Sequence, residues 1–253
     1  MAGMTVVFVH GVPETGAIWA GVRGELDGDA IAVDLPGFGT PRPAGFGATK
    51  DDYARWLAGE LRRFGRPVDL VGHDWGAALV LRVATAHDVP VRSWAVDVGA
   101  VFHRDYVWHE LARVWQTPGA GEERTAAVLA APPAARAKGL QAEGVPEADA
   151  AALAAAQDAT MSSCILDLYR SALPNPHADW GRELDRAAPA PGLVFQPTAD
   201  PYDDVTRSRE VAALLGARTH PLDGLGHWWM LQDPATAAAA LRSFWSSLGA
   251  LPS

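Results

Sequence analysis

Val68-Asp69-Leu70-Val71, Gly72-His73-Asp74-Trp75-Gly76 and Ala77-Ala78-Leu79-Val80-Leu81-Arg82-Val83 are three consecutive stretches with three different meanings. The first reads as a short buried strand and the third as a helix. The middle five residues, Gly-x-Asp-x-Gly, make the tight strand-to-helix turn known as a nucleophile elbow. Two glycines are needed because side chains would crowd the central residue, which is held in a strained backbone conformation. An aspartate at the tip is ionised near neutral pH and attacks without a base to activate it. Attack by a carboxylate on carbon leaves an ester between enzyme and substrate, so Asp74 points to alkyl transfer rather than acyl transfer. No Gly-x-Ser-x-Gly competes with it anywhere in the chain.

Outward from the elbow, strand and helix signals alternate. Thr5–Val9, Ala30–Leu35, Val68–Val71 and Ser93–Val98 read as buried strands. Trp19–Leu26, the amphipathic Asp51–Phe64 and Ala77–His87 read as the helices between them. This alternation predicts a parallel sheet with helices on both faces. From His103 to about Arg186 the chain is alanine-rich, helical and strandless, broken at Pro118, Pro132-Pro133 and Pro146. Glu147–Ala172 reads as one packed helix there. Strands return at Leu193–Gln196 and Arg218–Leu222, with a helix over Val205–Leu215 between them. Asp233 as N-cap and Pro234 at the first position open a last helix reaching Trp245. The expected organisation is an α/β core of residues 1–102 and 187–253 carrying a helical lid at 103–186.

Composition narrows the partners. The chain has 253 residues, 49% of them apolar, and a net charge of −9 without a cluster of Lys and Arg. That argues against nucleic acid and anionic membranes and for a small apolar molecule, with a homodimer left open. Met1 leads almost at once into a strand-like run, without a signal-peptide core. The single cysteine, Cys164, fits a reducing compartment, so a cytoplasmic location is expected. The eight histidines form no metal-binding spacing, and the Gly-rich stretches lack a following Lys-Ser/Thr. No cofactor is expected.

Three features accompany Asp74. His10-Gly11-Val12-Pro13-Glu14 follows the first strand, where the Val12 N–H, with that of Trp75, would form an oxyanion hole. Asp200 follows the strand Leu193–Gln196. His227, in Gly226-His227-Trp228-Trp229, follows the last strand. His227 would take a proton from water while Asp200 orients it and stabilises the imidazolium. Asp97, at the end of Ser93–Val98, is an alternative acid. Asp203 and Asp204 read as solvated or as helix caps.

Nucleophile, acid and histidine in this order, each just after a strand, is the α/β-hydrolase order. Together with Asp34-Leu35-Pro36-Gly37-Phe38-Gly39 and Asp200-Pro201, these motifs resemble the epoxide hydrolases of that fold and their relatives the haloalkane dehalogenases. The resemblance spans nearly the whole chain but is weakest in the lid. It implies an α/β-hydrolase fold of about six strands, because only four residues precede the His-Gly strand where the family usually has two more strands. It also implies a covalent mechanism on Asp74. Epoxide hydrolases use a pair of lid tyrosines to donate a proton to the opening oxygen, and Tyr106 and Tyr169 are the two tyrosines of this lid. Dehalogenases hold the halide with N–H donors. Trp75 fits that role, with Trp108 or Trp115 as a second donor, but Val12 stands where many of them carry a halide-binding Asn. Trp after the nucleophile occurs in both families. Epoxide opening is therefore the leading expectation, a haloalkane dehalogenase the second and a non-catalytic binding protein the third. His10, Trp108 and Trp228 are expected to contact an apolar substrate.

Overall fold

The computed structural model describes residues 5–185 and 187–249. The expected lid boundary at Arg186, and Met1, lie outside them. Six strands form one parallel sheet: β1 (Thr5–Val9), β2 (Asp29–Val33), β3 (Val68–Gly72), β4 (Val91–Val96), β5 (Gly192–Pro197) and β6 (Arg218–Leu222). Every strand expected from the sequence forms, two of them with the expected ends. Their order is β2-β1-β3-β4-β5-β6. The chain therefore winds outward in one direction from β1 and in the other from β3. Loops leaving the carboxyl ends of β1 and β3 diverge and open a crevice, the usual binding position in such sheets.

The sheet is covered on both faces. One face carries α2 (Lys50–Arg62) and α3 (Trp75–Ala86), with Tyr53, Leu57, Leu61, Leu79 and Val83 buried. The other carries α1 (Ala20–Gly24) and the last helix, α12 (Pro234–Ser247), with Trp19, Trp229, Leu241 and Phe244. A short 3-10 turn, Gly16–Trp19, precedes α1, so the helix expected at Trp19–Leu26 is shorter and starts tighter. Asp233 caps α12 as expected, accepting from the Thr236 N–H, and Pro234 sits in its first turn.

Between β4 and β5 run six helices: α4 (Glu110–Gln116), α5 (Ala120–Ala130), α6 (Pro133–Ala142), α7 (Glu147–Ala156), α8 (Ala159–Arg170) and α9 (Pro176–Leu184). The single helix expected over Glu147–Ala172 is thus two. Gln157 and Asp158 turn extended, and the Asp158 carboxylate accepts from the Met161 N–H at 2.8 Å. An aspartate that can cap competes with helix continuation, and here the cap wins. After β5 come α10 (Val205–Leu214) and the single turn α11 (Trp229–Gln232). Asp204 caps α10, as expected for one of that pair. Asp203 instead turns inward onto the Ala100 N–H, and burial pushes its carboxyl up to about 7. Among the described residues no helix is long and apolar enough to cross a membrane.

The inserted helices are fastened to the core by polar contacts at α2. Lys50 is only 2% exposed. Its ammonium reaches Asp51 at 3.1 Å and Asp179 of α9 at 2.8 Å, and it lies over the Trp180 ring. The Trp180 N–H returns to Asp51 at 2.9 Å. The N-terminus of α2 is itself closed by a reciprocal Thr49–Asp52 capping box. Thr49→Ala removes one half of that box and is expected to cost ~1 kcal/mol, lowering Tm by roughly 2–4 °C in a calorimetric scan.

Candidate active site

The elbow is built from backbone that only its glycines permit. Asp74 sits at φ 49°, ψ −119°, outside the ordinary regions for an L-residue. A Cβ on Gly72 would lie 2.5 Å from the Gly76 carbonyl oxygen, and one on Gly76 would run into the Val9 and His10 carbonyls. A Cβ on Gly11 would lie 2.5 Å from Asp74 itself. The strained turn therefore packs against bare backbone on three sides, with the Asp74 carboxyl half-buried at its tip.

Asp97 holds this turn from beneath. One carboxyl oxygen accepts the Asp74 N–H at 3.0 Å. The other lies 2.5 Å from His73 Nδ1 and accepts the Trp229 indole N–H at 2.5 Å. Beyond His73 stands Glu14, whose Oε1 is 3.3 Å from Nε2, off the line of a hydrogen bond. Glu14 also accepts from the Gly11 N–H at 3.0 Å and the Trp228 indole at 2.5 Å. All three groups are fully buried. Burial opposes charge on His73, but the two carboxylates outweigh it and hold the imidazolium well above the ordinary histidine range. In return Glu14, despite its burial, is held down to about 2 by His73. Asp97, weighed as an alternative acid, is thus bound to His73 and the elbow backbone.

His227 Nδ1 meets Asp200 Oδ2 at 2.9 Å. Burial works against its charge, but Asp200 and Asp74 raise its pKa. The Asp200 carboxyl resists desolvation and is lowered by His227. The His227 ring packs 4.5 Å from that of His73 and 4.9 Å from that of Tyr202. The Val12 N–H donates to Asp74 Oδ2 at 3.0 Å, and the Trp75 N–H opens the first turn of α3, where no intrahelical partner exists. Desolvation pushes the Asp74 carboxyl up to about 6, against the pull of His227, His73 and the Val12 N–H.

Above these groups lies a cavity of about 350 Å³ between the core loops and the inserted helices. Asp74, His227, Val12, Tyr169 and Trp228 line it. Tyr106 does not. Its ring packs edge-on against that of Trp108, 5.2 Å away. Trp108 is also outside the lining. Its ring stacks on Trp75 and its N–H is spent on the Ala172 carbonyl at 3.3 Å. His10, expected at the substrate, is fully buried with both nitrogens engaged. Nε2 accepts the Leu35 N–H at 3.0 Å and Nδ1 faces the Gly11 carbonyl at 2.7 Å, so a neutral imidazole ties the β1 and β2 loops together. Trp228 reaches the cavity, but only with its ring face, because its N–H goes to Glu14.

Tyr202 and His109 are among the lining residues that escaped the sequence reading. Tyr202 packs on His227 and donates its hydroxyl to Glu143 at 2.7 Å. Its place two residues after Asp200 was a usable signal. His109 caps α4 through Nδ1, which accepts the Ala112 N–H at 3.3 Å and leaves Nε2–H toward the cavity. Burial and His227 lower its pKa to about 4, so it stays neutral. Nothing in its sequence surroundings marked it.

Comparison with known proteins agrees with this architecture. Residues 6–241 match the model of the alpha/beta hydrolase family. A haloalkane dehalogenase of Mesorhizobium japonicum is 30% identical over 132 residues, 48% of this chain. The match spans 43% of that relative's length. The crystal structure of haloalkane dehalogenase DbeA from Bradyrhizobium elkanii superimposes with a TM-score of 0.74 at 23% identity, covering 98% of this chain and 91% of that one. E-2-(acetamidomethylene)succinate hydrolase does so equally well, with a TM-score of 0.74 at 18% identity, covering 97% and 92%. At such identities the likeness extends to the fold and no further. The six-stranded parallel sheet, the elbow after β3 and the family match over nearly the whole length give one conclusion: the chain belongs to the alpha/beta hydrolase family and has the α/β-hydrolase fold.

Proposed function

We propose that this protein hydrolyses an apolar alkyl electrophile through an ester on Asp74, and that epoxides are its substrate class. The observation that carries the epoxide reading is Tyr169. It lines the same cavity as Asp74 and His227, and burial, followed by the Asp74 charge, raises its phenol well above the usual range. It therefore keeps the proton that an opening epoxide oxygen requires. Of the two lid tryptophans expected as second halide donors, Trp108 has already given its indole N–H to Ala172, whereas Trp115 lines the cavity.

In the first step an Asp74 oxygen forms a bond to the epoxide carbon, the ring C–O bond breaks, and its oxygen takes the Tyr169 proton. In the second, His227 removes a proton from water as the hydroxide adds to the Asp74 carboxyl carbon. The oxyanion faces the Val12 and Trp75 N–H groups. Collapse expels the second diol oxygen, which takes the proton back from His227. The Asp74 carboxylic acid then returns its proton to the Tyr169 phenolate. Asp200 keeps His227 in the tautomer whose Nε2 accepts from water. Of the tyrosine pair expected from the sequence, Tyr169 lines the cavity and acts as the donor, and Tyr106 packs on Trp108.

A second reading, haloalkane dehalogenation by the same Asp74 and His227, is favoured by the M. japonicum relative. A halide leaving group needs no proton, which separates the two. Tyr169→Phe is expected to lower kcat for styrene oxide by about 10²-fold or more. It would leave bromide release from 1-bromobutane nearly unchanged if that reaction occurs. Bromide release without diol formation would reverse the assignment, and neither product would sink the enzymatic reading.

Asp74→Ala should abolish turnover, and His227→Gln should accumulate the Asp74 ester, visible as a mass gain on the intact protein. In a single turnover in heavy-oxygen water the first diol should be unlabelled, because its new oxygen comes from Asp74. The acid limb follows from the Asp74 carboxyl. Its ionised form attacks, so the alkylation rate in a stopped-flow experiment should be full above its pKa and fall away as pH drops through about 6. The neutral form of His227 is needed for ester hydrolysis, and its raised pKa adds a second loss in acid, read as ester accumulation.

A further inference from the structure

Four arginines at the inserted helices are matched to carboxylates. Arg42 meets Asp167, Arg82 meets Glu183, Arg104 meets Asp185 and Arg170 meets Glu122. Two that line the cavity are not. Arg124, on α5, has neither an ion pair nor a hydrogen bond among the described residues. Arg136, on α6, gives Nη1 to the Gln157 backbone carbonyl at 2.9 Å, while its Nε is buried with no partner. Gln157 lines the same stretch of wall, and its side-chain oxygen is also buried without a partner. A buried donor left without an acceptor costs free energy that a ligand can recover.

Arg136 stands away from the reacting end. Glu143, which closes α6, holds the Tyr202 hydroxyl next to His227. Arg136 lies seven residues earlier on that helix, about 10 Å along its axis at the usual rise. Between the two ends the wall is apolar, formed by residues such as Val128, Leu140 and Ile165. The cavity wall thus carries a carboxylate nucleophile, apolar side chains and two guanidinium groups without carboxylate partners.

We propose that the cavity takes an alkyl chain ending in a carboxylate, with the carboxylate seated between Arg124 and Arg136 and the electrophilic carbon over Asp74. Guanidinium is the donor best matched to a carboxylate, since its N–H groups bond both oxygens at once. Gln157 adds a donor when its amide turns half a revolution to present NH2 to the bound anion. The negative charges of Asp74 and Glu143 at the opposite end repel a carboxylate there and so set the direction in which the chain enters. The electrophile in this assignment rests on the Asp74 ester chemistry proposed above. The anion site itself does not.

The test separates the two. Binding of decanoate, methyl decanoate and decan-1-ol, none of which can alkylate Asp74, is followed through cavity tryptophan fluorescence at pH 8. Decanoate is expected to bind about tenfold tighter than its methyl ester or more, a preference that shrinks with added salt. Arg124→Gln, at an exposed helical position where folding is not at risk, should reduce that preference several-fold, and R124Q/R136Q should abolish it. Neither variant should change the affinity for decan-1-ol. Equal binding of acid and ester by the unaltered protein, or a preference that survives in R124Q/R136Q, would overturn the proposal. The kcat/KM for 9,10-epoxystearate against its methyl ester then reads the productive direction. If decanoate is preferred but no epoxide turns over, the carboxylate site stands and the catalytic reading fails.

Discussion

The backbone of Asp74 is the constraint on which the site depends. A non-glycine residue at φ 49° is strained, and such a conformation persists only where its surroundings over-determine it. Here they do so from every side. Gly72, Gly76 and Gly11 let three stretches of main chain approach the turn, Asp97 takes the Asp74 N–H, and the Val12 N–H takes one of its oxygens. The strain has a chemical use. It thrusts the carboxyl off the end of β3 into the crevice where the sheet order reverses, with one oxygen fixed and the other toward the cavity.

Burying this machinery requires charge to be balanced nearby. His73 carries a positive charge between Glu14 and Asp97, and the two indole N–H groups of Trp228 and Trp229 close the ends of that chain. The indole N–H groups of the two tryptophans just after His227 therefore serve the floor of the site. The same logic explains His10, whose two ring nitrogens both go to loop backbone. A fully buried imidazole with no carboxylate in contact stays neutral and acts as a strut.

The cavity is divided in a way that the core does not foretell. Its base consists of loops fixed by strands, whereas its roof is a set of short helices joined by caps and prolines and fastened to α2 through Lys50, Asp51, Asp179 and Trp180. That division fits the spread of chemistry among proteins of this shape, from haloalkane dehalogenases to a succinate-derivative hydrolase.

Local pattern in the sequence was enough for the strands, the elbow and the sequence positions of Asp74, Asp200 and His227. Buried strands must be apolar runs, tight turns must have glycine, and chain order survives folding. The broken helix at Asp158 was also locally encoded, in a capping residue outweighed by the good helix formers around it. Other features belonged to the tertiary structure alone. The choice of Asp200 over Asp97 as the partner of His227 depends on which loop curls toward which side chain. The placing of Tyr169 in the cavity lining and of Tyr106 against Trp108 depends on how the stretch before α4 packs on α8. So does the presence of Arg124 and Arg136, on different helices, in the wall of one cavity. Direction of a side chain into shared space is a property of packing between elements, and periodicity within an element does not carry it.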